Sequence, residues 1–239
     1  MKKTLLALSL VTLAAALPTT ACADVAYNVG VYTDYRYRGI SQTRVKPALQ
    51  AGVDYTEGAF YLGAWASTIK WIKDAGGDAS IELDLYGGYK GEIAKDLGYD
   101  VGVLAYVYPG NGLSPSANTT ELYGSITSGP FTAKYSRSLT NTFANPKSKS
   151  SGYLDLSATF EVADGWSVAP HIGHQQIGGP FSKLGSYTDY SITVSKDFKG
   201  VVPSIALVGT DANKVFYSSP VNNKKLGQTA LVLGLKYNF

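Results

Sequence analysis

Sulfur is nearly missing from this sequence. Its one cysteine, Cys22, and its one methionine, Met1, both precede residue 23 of a 239-residue chain. Everything downstream therefore has no disulfide framework, no thiol nucleophile and no cysteine metal site. Histidine is confined to His171 and His174. Three apart on an extended chain, the two project to opposite sides, which separates them as metal ligands. No long apolar run follows residue 16, so no membrane-crossing helix is expected there. A phosphate-cradling G-x-x-x-x-G-K loop is lacking as well.

The first residues read as a leader. Lys2 and Lys3 form a positive start, Leu5 to Ala16 an apolar stretch, and Ala21-Cys22-Ala23 an A-x-A cleavage site. This predicts a secretory signal peptide over 1–23 and a mature domain over 24–239. The alternative of lipidation at Cys22 is opposed by Thr19, which stands where a leucine would be expected. Removing Lys2 and Lys3 takes the formal charge from +3 to +1. A nucleic-acid partner would call for a marked basic excess, so none is expected.

What the chain has in quantity is tyrosine and glycine, 18 and 26 residues. Together with frequent valine and threonine they point to strands. The apolar residues recur with period two. Val25, Tyr27, Val29, Val31, Thr33, Tyr35 and Tyr37 share one face of a first segment, opposite Tyr32, Asp34, Arg36 and Arg38. Leu49, Ala51, Val53 and Tyr55 alternate with Gln50, Gly52, Asp54 and Thr56; Leu62, Ala64 and Ala66 with Tyr61, Gly63 and Trp65. Twelve such segments run to the end of the chain. Leu104 breaks the rule, and 201–209 is apolar on both faces.

The connections alternate too. Short links at Thr56-Glu57-Gly58, Gly91 to Asp96, Ser128-Gly129-Pro130, Ala163-Asp164-Gly165 and 197–200 intercalate with long ones at 39–46, 68–79, 109–118, 140–150, 177–187 and 210–225. Short turns on one side and long loops on the other, with an even strand number, is the rule of outer-membrane barrels. A soluble sandwich also alternates. Its strands, however, run to about 5–6 residues, whereas these segments are long enough for a tilted bilayer crossing. The fold expected is an all-β, up-and-down antiparallel transmembrane barrel of twelve strands. The closing LVLGLKYNF puts Leu235, Tyr237 and Phe239 on one face beside Gly234, a pattern suited to recognition by the barrel assembly machinery.

Several stretches carry a family resemblance: YTDYRYRGISQT (32–43), PALQAGVDY (47–55), FYLGAWAS (60–67), IELDLYGGYKG (81–91), YDVGVLAYVYPG (99–110) and TELYG (120–124). They resemble the motifs of the TorF family of porin-like proteobacterial proteins. The resemblance is dense in the first half and rests on strand pattern and ending in the second. It implies an outer-membrane location and a channel role, and it supplies neither a substrate nor catalytic residues.

Parity assigns the lumen. The charges Asp34, Arg36, Arg38, Asp54, Glu82, Asp84, Lys90, Asp100, Glu121, Lys134, Asp155, Glu161, Asp189 and Lys236 all face inward. So do Tyr32, Tyr61, Trp65, Tyr86, Tyr106, Tyr108 and Tyr123. The charges read either as cross-strand braces or as a selectivity filter. The aromatics read as packing or as stacking surfaces for sugars or nucleosides. Catalysis is a third reading: Glu82 and Asp84 share a face, as glycoside hydrolysis requires. Ser167 and Ser195, at the far ends of their strands from the histidines, assemble no triad. The reading that results is passive diffusion of small hydrophilic solutes through a non-enzymatic barrel that needs no cofactor or metal. Its partners would be outer-membrane lipid and, during biogenesis, the assembly machinery. A monomer is favoured, and a closed barrel with binding loops is the alternative. Tyr35 and Tyr37 are expected in the lipid-facing aromatic girdle, with Gly39 opening the first loop.

Overall fold

A computed structural model describes residues 23–239; all but the last residue of the expected leader lies outside them. Thirteen hydrogen-bonded segments form twelve strands, because Gly152–Ala158 and Phe160–Ala163 are two halves of one strand interrupted at Thr159. In chain order they are β1 (Asp24–Tyr32), β2 (Ala48–Glu57), β3 (Phe60–Thr68), β4 (Ile81–Ala94), β5 (Leu97–Val107), β6 (Thr119–Ser128) and β7 (Phe131–Ser138). The interrupted strand is β8, followed by β9 (Trp166–Gln176), β10 (Tyr187–Lys196), β11 (Val201–Thr210) and β12 (Ala230–Asn238). Every strand pairs antiparallel with its sequence neighbours. β1 pairs with β12 from Asn28↔Asn238 to Tyr32↔Gly234, which closes the sheet on itself. Closure leaves no edge, and in a bilayer it satisfies every ladder amide without water.

The two faces sort as period two dictates. Outward residues such as Val101 (49 % exposed) and Leu233 (52 % exposed) form an apolar outer wall that nothing else among the described residues covers. A soluble sandwich would bury that wall between its sheets; here it is the lipid face. Phe239 stacks on Tyr27 at 5.7 Å and on Tyr237 at 5.3 Å, tying the last residue to both sides of the closing seam. The 201–209 stretch is a regular strand, with Ile205 and Leu207 outward and the half-buried Ala206 and Val208 alternating with them.

Inside, tyrosines lie over glycines of the adjacent strand. Tyr86 sits opposite Gly63, Tyr61 opposite Gly88, and Tyr123 opposite Gly102. A methyl group added at Gly102 would overlap the Tyr123 ring. The missing Cβ lets each ring lie along the wall instead of across the bore, an interstrand rescue of glycine by an aromatic.

Short turns at 58–59, 95–96, 129–130, 164–165 and 197–200 alternate with six longer loops: L1 (33–47), L2 (69–80, with a short helix α1, Trp71–Asp74), L3 (108–118), L4 (139–151), L5 (177–186) and L6 (211–229). By the barrel rule the six loops are extracellular. L1 departs from expectation. The strand was expected to continue through Tyr35 and Tyr37 to Arg38, but it stops at Tyr32, and L1 turns into the bore. Asp34 causes the bend. Its carboxylate accepts from Arg36 Nε at 2.6 Å, Ser41 Oγ at 2.6 Å and Thr43 Oγ1 at 2.8 Å. That staple closes a hairpin in which Arg36 pairs with Ser41 and Tyr37 with Ile40, and Gly39 forms its tip at φ +77°. Tyr35 and Tyr37 therefore face protein, not lipid: Tyr35 packs edge-on to Trp65 at 5.3 Å, and Tyr37 to Tyr106 at 5.4 Å. Gly39 is the tip of the inserted hairpin rather than the start of an outer loop.

Candidate functional site

The inward side chains fall into two storeys. In the extracellular one, L1 crosses the bore. Arg38, at the hairpin tip, donates Nη2 to Glu121 Oε2 on β6 at 2.7 Å and Nη1 to Gln175 Oε1 on β9 at 2.6 Å. Its guanidinium also lies over the Tyr153 ring of β8, 4.1 Å from the centroid. Tyr35 donates its hydroxyl to Glu82 Oε1 on β4 at 2.6 Å. Arg36 reaches the carbonyl of Leu226 in L6 at 2.8 Å, and Ser41 N–H donates to the same carbonyl. L2 joins through Lys70 N–H to the Gln42 carbonyl and through the Arg44–Asp74 ion pair, and Ser219 of L6 donates to Asp74. L4 contributes Phe143, edge-on to Tyr37 at 5.4 Å.

The hairpin thus touches β4, β6, β8 and β9 as well as three other loops. Around it gathers a buried core that includes Leu104, Tyr106, Tyr108 and Ile72. This accounts for Leu104, the apolar residue that parity turned inward. Glu82 is 1 % exposed, and Asp84 is 7 % exposed with Oδ1 lacking a hydrogen-bond partner among the described residues. Burial holds the Tyr35 and Tyr37 hydroxyls well above the ordinary phenol range, so both stay neutral.

On the β8–β10 wall His171 Nε2 stands 2.9 Å from Asp155 Oδ2, and its Nδ1 stands 3.6 Å from Asp189 Oδ1. Tyr153 donates its hydroxyl to Asp189 Oδ2 at 3.0 Å and lies 3.1 Å from His171 Nε2. The histidine is thus engaged by carboxylates and a tyrosine, while His174 points outward to Thr188. Ser167 and Ser195 hydrogen-bond each other at 2.9 Å.

The periplasmic storey is more open. Asp54, Tyr61, Tyr86, Lys90, Asp100 and Lys134 are half-buried, whereas Glu82, Glu121, Ser136, Ser138 and Asp189 above them are buried. Tyr86 donates to Asp54 at 2.5 Å and Tyr61 to Asp100 at 2.6 Å; the Tyr61 and Tyr123 hydroxyls also meet. Lys134 Nζ sits 3.9 Å above the Tyr123 ring and Lys90 Nζ 5.6 Å from that of Tyr61. Such contacts suit a cation over an aromatic face. Lys236 lines the seam from β12, and Tyr32 packs over Gly234 beside it. Glu161 lies apart, exposed at the periplasmic rim.

The structure brings Arg38 together with Glu121, and Asp34 with Arg36. Among the described residues it leaves Glu82 and Asp84 without a cation at ion-pair distance. Tyr35, Tyr37, Tyr153, His171 and Gln175 belong to the same network and were not among the candidates. For the last three, strand parity already carried the signal. For the first two, the Ser41 and Thr43 hydroxyls downstream of Asp34 were the only hint.

A closed twelve-stranded antiparallel barrel, apolar outside and polar inside, with short turns at one end and long loops at the other, defines a transmembrane barrel of the outer-membrane type. The chain belongs to the Gcw_chp family of bacterial proteins of unknown function, which matches residues 16–239. No curated protein sequence matches it. Among solved structures, the KdgM porin aligns with a TM-score of 0.56 at 8 % identity, over 91 % of this chain and 99 % of that one. A KdgM structure described as a complex with disordered oligogalacturonate aligns with a TM-score of 0.56 at 9 % identity, over 91 % and 99 %. The NanC porin aligns with a TM-score of 0.55 at 9 % identity, over 90 % and 99 %. At this identity the likeness shows the shared fold.

Proposed function

We propose that the protein is a porin-like outer-membrane channel through which small hydrophilic solutes diffuse passively, with L1 as a movable constriction. The observation that carries this reading is the contrast between the two storeys. The bore is lined with charges and tyrosines from the periplasmic end upward, and a single inserted hairpin, held by side-chain contacts, fills its extracellular part. In this reading Asp54, Lys90, Asp100, Lys134 and Lys236 line the path. Arg38, Glu121, Glu82 and Asp84 set what passes when the hairpin shifts, and Tyr61, Tyr86 and Tyr123 offer flat surfaces that suit sugars. The resemblance to TorF-family porins and the porin neighbours support a transport role over catalysis. Export by the 1–23 leader, insertion by the barrel assembly machinery through the Phe239 ending, and function as a monomer complete the proposal.

A packed upper bore also favours a second reading, a closed barrel whose loops engage a partner. Planar-bilayer recording separates the two. Unitary conductance from purified, folded protein supports the channel. Silence from both the native chain and a variant with a shortened L1, under every ionic condition, leaves the closed barrel standing.

A further inference from the structure

Charge is distributed unequally between the two ends. The extracellular loops carry acid only at Asp34, Asp74, Asp78 and Asp211, while every loop except L3 carries lysine or arginine. The periplasmic turns carry Asp96, Asp164 and Asp197 against Lys95 and Lys199. On the L1–L2 side, Arg44 is paired with Asp74 and Lys73 lies 3.9 Å from Asp78, and among the described residues the exposed Lys46 and Lys70 have no carboxylate at ion-pair distance. The L4–L6 side carries more free lysines and only one acid. Lys147, Lys149, Lys183 and Lys214 are exposed, and among the described residues none lies within ion-pair distance of a carboxylate. The one acid in these loops, Asp211, is occupied by the Thr188 N–H at 2.7 Å.

These three loops form one surface. Gly178 N–H donates to Ser151 Oγ at 2.9 Å, joining L5 to L4. Tyr217 donates its hydroxyl to the Gly185 carbonyl at 2.6 Å, and Phe181 packs against Phe216 at 5.6 Å, joining L6 to L5. Beside the lysines the same surface exposes Phe181, Leu184 and Val215, the last 83 % exposed. Free ammonium groups next to exposed apolar side chains, just above a lipid-facing wall, match a ligand that is anionic at its head and apolar below.

We propose that L4, L5 and L6 form a docking surface for a phosphate-bearing glycolipid of the leaflet that surrounds the loops. Lys147, Lys149, Lys183 and Lys214 hold the phosphates, and Phe181, Leu184 and Val215 lie against the acyl chains. The proposal rests on the barrel being embedded with these loops outermost, and it does not depend on whether the bore conducts.

The test uses the full folded barrel in neutral detergent, titrated with diphosphoryl lipid A, with its dephosphorylated form and with inorganic phosphate. The diphosphoryl form should bind at least about tenfold more tightly than the dephosphorylated one. That difference should shrink with each of the four lysines replaced by glutamine, and vanish at high salt. Leu184→Ser with Val215→Ser should weaken both lipids alike. Heat-modifiable migration on gels confirms that each variant is folded. Equal affinity for the two lipids overturns the proposal, and so does a lysine variant that binds like the native chain. Displacement of the lipid by inorganic phosphate at equal concentration also overturns it, because the surface would then gather free anions.

Discussion

Arg38 grips Glu121 across the barrel: the guanidinium, carried on a loop that leaves β1, lies 2.7 Å from a carboxylate on β6. Both side chains are almost fully shielded from solvent. Breaking a buried pair from one side strands the other charge, at about 3–5 kcal/mol. Arg38→Ala is therefore expected to lower the urea midpoint of the folded barrel more than Arg38→Ala combined with Glu121→Gln. Equal losses would mean that the pair is not a unit.

Selectivity follows from the same contact. With Arg36 and Arg38 both replaced by alanine, Asp34 and Glu121 lose their cations and the bore keeps its carboxylates. The reversal potential in a salt gradient should shift towards cations. An unchanged potential would place the two arginines off the ion path.

The tyrosines of the wall depend on glycines. Gly63→Val puts branched carbon where the Tyr86 ring lies, and overpacking of this kind costs about 1–3 kcal/mol. The variant should fold with a lower urea midpoint, and adding Tyr86→Ala should restore part of the loss. A double variant no better than the single one would show that ring and glycine are uncoupled.

The strands were legible because parity and loop length speak independently. Ile81 to Lys90 alternates outward and inward as written, and the Tyr/Gly spacing of FYLGAW and LYGGYK already contains the cross-strand pairs. L1 was not legible, because Thr33 to Arg38 alternates as faithfully as a strand. What ends β1 is a three-donor staple on Asp34 and a positive φ at both Arg38 (46°) and Gly39 (77°). Local hydrogen bonding of that kind leaves no period in the sequence. Without the loop inside the barrel, the inward-facing Leu104 loses part of the apolar cluster that explains it, and the upper and lower carboxylates look equivalent.

Assembly gives a further check at the chain end. Phe239 stacks on Tyr27 and Tyr237 at the seam where β1 meets β12. Deleting Phe239 should reduce the heat-modifiable, folded fraction in outer membranes while leaving export unaffected. A full folded yield would remove the ending from the assembly signal.

The most direct measurement is single-channel conductance of the native chain beside a variant in which Tyr35–Thr43 is replaced by a short Gly-Ser link. The account predicts a larger and steadier unitary conductance in the variant, with brief openings of smaller mean conductance in the native protein. Identical conductance in the two would contradict L1 as the constriction, and silence in both would contradict the channel itself.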